Sequence, residues 1–168
     1  MQKPHPRVLS SRLRHLQHQQ SRPRLGVFID AENVSGQHAA QLMQLVNERG
    51  RPTVCRAYGD WTTDYLLSWK KWLHPLGIRP VQQFHYAHGK NASDGALIMD
   101  VMEALHRGQV DGVCIVTSDS DFVGVAGRVQ EAGLMVHGFG QPGASPAFMA
   151  ACDEFVFLQG AGQGVEAV

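Results

Sequence analysis

The sequence lacks the devices that staple or anchor a small protein. Its three cysteines, Cys55, Cys114 and Cys152, are odd in number, far apart and without a C-x-x-C pair. That excludes a disulfide framework and a zinc ribbon, and it fits a reducing compartment. No stretch approaches the ~18 consecutive apolar residues of a membrane span, and Met1-Gln2-Lys3-Pro4-His5-Pro6 leads into no apolar signal core. The expectation is a soluble cytoplasmic protein with no membrane partner. What is present suffices for a core: 168 residues, 43% of them hydrophobic. A globule of about 150 residues buries roughly 68–70% of its unfolded surface, so one domain can stand without staples.

Net charge is also missing, with 15 Lys and Arg against 15 Asp and Glu, but the balance hides an asymmetry. Residues 1–24 hold Lys3, Arg7, Arg12, Arg14, Arg22 and Arg24 and no acid, so all fifteen acids fall in 25–168. A basic arm on an acidic body suits a polyanionic partner such as nucleic acid, since each neutralised phosphate releases counterions. The same composition also reads as a solvated tail. Leu9, Leu13 and Leu16 share one helical face, so part of the arm reads as a short amphipathic helix ending before Pro23. The division is an arm over 1–24, a domain over 25–158, and a Gly- and Ala-rich flexible tail over 159–168.

From Leu25 onward, short β-rich runs alternate with helical stretches, the pattern of an α/β domain with a parallel sheet covered by helices. Strands are predicted over 25–29, 52–58, 78–84, 112–116, 134–137 and 154–158, the third interrupted by Pro80 and therefore near an edge. Helices are predicted after Gln37 up to Gly50, and over 64–74, 93–106, 121–132 and 146–151. Leu42, Leu45 and Val46 face the core in the first, and Tyr65, Trp69, Trp72 and Leu73 form an apolar stripe in the second.

In open parallel sheets, ligands bind outside the carboxyl ends of the strands. Here those ends are acidic. Strand one runs into Asp30-Ala-Glu-Asn33, strand four into Thr117-Ser118-Asp119-Ser120-Asp121, and the helix after 92 opens with Ser93-Asp94. Asp30, Asp94, Asp119 and Asp121 meet at one rim if strands one and four are neighbours. Two carboxylates ~4 Å apart repel by about 4 kcal/mol at an effective dielectric near 20, so a divalent cation or raised pKa values must relieve the cluster. Oxygen ligands with few histidines favour Mg²⁺ or Mn²⁺ over zinc. Plainer roles exist: Asp94 and Asp121 stand where they could cap helices, whereas Asp30 and Asp119 end apolar strands with no helix in register to place them. Asn33 could cap the following helix or orient a metal-bound water, Thr117 and Ser118 could cap or contact phosphate, and Trp61 could stack a base or anchor its loop.

Phe28-Ile-Asp-Ala-Glu-Asn-Val34, Gly89-Lys-Asn-Ala-Ser-Asp94 with Asp100 following, and Val116-Thr-Ser-Asp-Ser-Asp-Phe122 together resemble the NYN family, the LabA-like branch of the PIN-like nucleases. The resemblance covers roughly residues 25–158. It implies a three-layer α/β/α PIN-like (Rossmannoid) fold and a metal-dependent ribonuclease acting on single-stranded RNA, with homodimerisation left open. It implies Asp30, Asp94, Asp119 and Asp121 as catalytic acids holding Mg²⁺ or Mn²⁺. Asn33 and Ser118 support them, and Lys90 lies near the substrate phosphate. Asp100, six residues past Asp94 and therefore rotated by ~120°, is a secondary candidate.

Two alternatives stand beside this reading. One is a different Mg²⁺-dependent phosphoryl-transfer enzyme, TOPRIM-like or phosphatase-like; the other is a non-catalytic RNA-binding module. Four further signals carry little. Gly138-Phe-Gly-Gln-Pro-Gly143 fits G-x-G-x-x-G, but Pro142 lies inside it and no long helix follows. His85-Tyr-Ala-His88 lacks further metal ligands. Cys114 reads as a core thiol and His137 as a structural residue.

Overall fold

The computed structural model describes residues 20–84 and 92–159, together with 13 and 16–18. Lys3, Arg7, Arg12, Arg14, His85, His88, Lys90 and the tail from 160 lie outside the described residues, so the roles expected of them do too. Six strands, β1 (Arg24–Asp30), β2 (Arg51–Gly59), β3 (Arg79–Gln82), β4 (Gly112–Val116), β5 (Met135–Gly140) and β6 (Glu154–Phe157), form one sheet. Its order is β3-β2-β1-β4-β5-β6. Every pairing is parallel. The helices are α1 (Ala39–Arg49), α2 (Leu67–Leu73), α3 (Ala92–His106), α4 (Val123–Glu131) and α5 (Pro146–Ala151).

Strand periodicity builds the two faces. In β1, Leu25, Val27 and Ile29 point into one core with α1 and α2, while Phe28 points into the other with α3, α4 and α5. In β4, Cys114 and Val116 face the first layer, Val113 and Ile115 the second. Buried on both sides, these strands read as the continuous apolar runs of a parallel sheet. The chain turns outward from β1 in both directions, so β1 and β4 flank the topological switch point.

Three elements differ from expectation. The helix predicted over 64–74 opens as a 3₁₀ turn (Asp64–Leu66) before α2, which rotates Tyr65 out of the apolar stripe. Trp69 is buried, but Tyr65 is 74% exposed. The helix predicted over 121–132 likewise begins with a 3₁₀ turn, Ser120–Phe122. The basic arm also gives up two of its cations to the domain. Arg24 begins β1 and pairs with Asp111 through two hydrogen bonds of 2.7 and 3.0 Å, and the Arg22 guanidinium donates to the carbonyls of Asn47 and Gly50. Leu13 and Leu16 are helical and more than half exposed.

Gly36 marks a close approach within the layer of α1 and α2. A Cβ there would lie 2.4–2.5 Å from the backbone of Ser68 and Trp69, so only glycine lets the 3₁₀ turn Gly36–His38 seat against α2. Among the described residues, no helix is long and apolar enough to cross a membrane, and all three cysteines are free thiols. Burial pushes the thiols of Cys55 and Cys152 up to about 12 and Cys114 upward as well, which keeps them protonated and unreactive at neutral pH.

Candidate metal centre

Asp30 is the last residue of β1, and by strand alternation its side chain leaves the sheet on the α3 side, as Phe28 does. It is only 5% exposed. Thr117, just past β4, donates its hydroxyl to Asp30 Oδ2 at 3.1 Å and accepts the Asp119 backbone N–H at 3.2 Å. One hydroxyl thus ties the two strand ends together. Asp94 lies in the first turn of α3, which packs across β1 and β2.

Asp94, Asp119 and Asp121 each place a carboxylate oxygen within 4.8 Å of the others, Asp94 and Asp119 partly buried and Asp121 exposed. Asp30 lies outside that set of three but within its field. Burial, reinforced by the charge of Asp94, pushes the Asp30 carboxyl up to about 7, although the Thr117 hydroxyl opposes the shift. Burial, followed by the charges of Asp119 and Asp121, pushes Asp94 up to about 6. Among the described residues no Lys or Arg pairs with any of the three clustered acids. The three carboxylates repel one another, offer hard oxygen donors, and fit a divalent cation such as Mg²⁺ or Mn²⁺.

Glu32 belongs to this field although the sequence reading passed over it. Its carboxylate accepts the Asp60 backbone N–H at 3.0 Å, and its charge raises both Asp30 and Asp94. The available signal is its place in Asp30-Ala-Glu-Asn33, in the turn just past a strand end at the switch point.

Several side chains take other roles than expected. Asp119 does have a helix in register: it is the N-cap of the 3₁₀ turn, its Oδ1 accepting the Asp121 N–H at 3.2 Å. Capping and clustering coexist, because a carboxylate has a second oxygen to offer. Asn33 caps no helix; Ser35 does that for the 3₁₀ turn at Gly36. Instead Asn33 Oδ1 accepts the Ser118 N–H at 2.7 Å and braces the β1 turn against the β4 turn. The Ser118 hydroxyl accepts the Gln141 N–H at 3.0 Å.

Gly140 permits that junction, since a Cβ there would stand 2.6 Å from the Thr117 carbonyl oxygen. Gly138 and Gly140 of β5 thus serve close packing, and Gly143 takes a positive φ of 94° in the turn that follows. Trp61 is partly buried, with its indole N–H on the Val81 carbonyl at 3.0 Å. Asp100 faces β2, where Oδ2 accepts from Tyr58 Oη at 2.5 Å and pairs with Arg56 at 2.7 Å. At the other end of the sheet, His137 and Arg49 share Glu154.

A sheet of six parallel strands with helices on both faces and carboxylates gathered at its switch point defines an α/β domain with a candidate cation site at the strand ends. The chain belongs to the NYN domain family, whose model matches residues 24–159. Among solved structures it is similar to a protein of unknown function from Vibrio parahaemolyticus RIMD 2210633, with a TM-score of 0.67 at 18% identity. The match covers 82% of this chain and 94% of that one. No curated protein matches the sequence.

The raised carboxyls set a pH dependence of stability. Folded Asp30 keeps its proton to about pH 7, whereas the unfolded chain releases it near the ordinary 3.8. Between those values the native state binds more protons, so this group's contribution to stability falls as pH rises. Asp94 adds the same sign up to about 6. Asp30→Asn, which resembles the protonated acid, should therefore gain in Tm relative to wild type from pH 4 to 7 in EDTA. Parallel Tm profiles for the two proteins would show that Asp30 titrates normally.

Proposed function

We propose that this domain is a metal-dependent nuclease that hydrolyses phosphodiester bonds of single-stranded RNA. The observation that carries the reading is the meeting of Asp94, Asp119 and Asp121 within 4.8 Å at the switch point, without a cationic partner among the described residues. NYN membership supports nuclease chemistry, and the arm's excess of basic residues supports a polyanionic substrate.

Asp94, Asp119 and Asp121 would hold Mg²⁺ or Mn²⁺, with Asp30 joining them once ionised. When bound, the ion supplies Lewis acidity toward a phosphoryl oxygen and lowers the pKa of water. The chain's own part is preorganisation. The Asp121 N–H fixes one oxygen of Asp119 and with it the plane of the carboxylate. Thr117 locks Asp30 to the same loop, and Asn33 keeps the two strand-end turns in register. Without a cation, burial and the charge of Asp94 raise the Asp30 carboxyl to about 7, so positive charge gathered at the site favours its ionisation.

A labelled oligoribonucleotide incubated with increasing Mg²⁺ or Mn²⁺ should be cut at internal bonds, and EDTA should abolish the cutting. Equal cleavage in EDTA, or turnover confined to small phosphomonoesters, would overturn the assignment.

A further inference from the structure

A cavity of about 150 Å³ lies on the opposite flank of the same strand ends, between the turn after β1 and the start of α2. Its residues include Asn33, Ser35, Tyr65, Ser68 and Gln141 over a floor of Ala31 and Val34. It shares Asn33 and Val34 with the turn that joins it to the acidic cluster. The N–H groups of Asn33 and Val34 both fold back on the Asp30 carbonyl at 3.2 and 3.1 Å, and Asn33 is bonded to Ser118, next to Asp119. Asp30 faces α3, so a strand lying across the end of β1 would have the acids on one side and this cavity on the other.

We propose that the cavity seats one nucleobase of the RNA strand, stacked on the ring of Tyr65. Size favours a single base, because pockets for drug-sized ligands run to ~300–1,000 Å³. Tyr65, 74% exposed as a residue, brings an aromatic ring to the cavity lining that a base can stack on. The polar wall is preset to donate. The Ser68 hydroxyl accepts the Gly36 N–H at 3.2 Å and the Ser35 hydroxyl accepts the Gln37 N–H at 3.4 Å. Each thereby keeps its own proton for a ligand, and the Asn33 amide N–H₂ has no acceptor among the described residues.

Gln141 is held in place. Its Oε1 accepts the Ser35 N–H at 3.2 Å and its Nε2 approaches His38 Nε2 at 3.4 Å. Burial lowers the His38 pKa, so the ring is neutral and can accept there. Donors around an aromatic platform match the ring-nitrogen or carbonyl acceptors that every nucleobase carries. The expected recognition is tolerant stacking with one or two edge contacts, not strict readout of one base.

This inference rests on the nuclease reading, and the test separates the two. Wild type, Tyr65→Ala and Tyr65→Phe are compared in three measurements: binding of a fluorescein-labelled oligoribonucleotide by anisotropy, cleavage of that RNA, and hydrolysis of the matching abasic ribose-phosphate oligomer, a diester without a base or any other aromatic ring. Tyr65→Ala should bind RNA about ten- to a hundredfold more weakly and show the loss in KM, in line with the cost of one lost base stack. Its diester hydrolysis should be unchanged, and Tyr65→Phe should bind as wild type does. Equal RNA affinity in Tyr65→Ala and wild type, an equal loss on both substrates, or no RNA binding by wild type would overturn the subsite. Tyr65-dependent binding by a wild-type protein that cleaves nothing would sustain the subsite and remove the nuclease assignment.

Discussion

Asp119→Asn should lower metal-dependent RNA cleavage by about 10²–10³-fold while leaving the fold intact. The activity loss follows from removing one of the three carboxylates that, in the proposed function, would hold the divalent cation at the strand ends. A metal acting as Lewis acid lowers a barrier by several kcal/mol, and each ~1.4 kcal/mol is tenfold in rate. Stability should hold because Asp119 Oδ1 also caps the 3₁₀ turn at Ser120, and asparagine caps about as well as aspartate. Relief of repulsion with Asp94 acts in the same direction, so in EDTA the variant's Tm should equal or exceed that of wild type. Higher Mg²⁺ should recover part of the rate if the loss is in metal affinity. Wild-type turnover by Asp119→Asn at every Mg²⁺ concentration would remove the acids from the chemistry and leave them as caps.

The largest loss of stability should come from Trp69→Ala, about 3–5 kcal/mol or about 6–20 °C in Tm. Trp69 is 1% exposed at the centre of the layer formed by α1 and α2, and its indole N–H donates to the Val34 carbonyl at 2.7 Å. Alanine leaves both a cavity and an unpaired buried carbonyl. Trp69→Phe keeps most of the packing and loses only the hydrogen bond, so it should cost about 1–3 kcal/mol. Val34 is also the residue whose N–H closes the turn on Asp30, so loosening its carbonyl reaches the metal centre through three residues of backbone. Thermal unfolding of the three proteins checks the ranking, and a Trp69→Ala protein within ~1 kcal/mol of wild type would mean the layer repacks.

Much of the site is legible in the sequence because it sits at strand ends. A strand that buries both faces must be apolar throughout, so the acid that follows it marks the rim without any knowledge of contacts. That logic locates Asp30 and Asp119, and the helical pattern after residue 92 locates Asp94. It fails where one side chain serves two partners. Asp119 is cap and cluster member together, and spacing alone cannot distinguish one oxygen from the other. It also fails for Tyr65, because helical periodicity assumes 3.6 residues per turn while the 3₁₀ opening of α2 runs at about 3.0 and turns the ring outward. Asn33 and Glu32 depend on partners 85 and 28 residues away, at Ser118 and Asp60.

The amino-acid order by itself determined the alternation of strand and helix, the parallel sheet and the acids at its carboxyl edge, since period and burial are local properties of a chain. Only the tertiary structure decided which acids meet, which loops brace them, and that an open aromatic cavity lies beside them. Those outcomes depend on the placing of β4 next to β1 and on two 3₁₀ turns, and distances between remote segments exist only once the chain has closed.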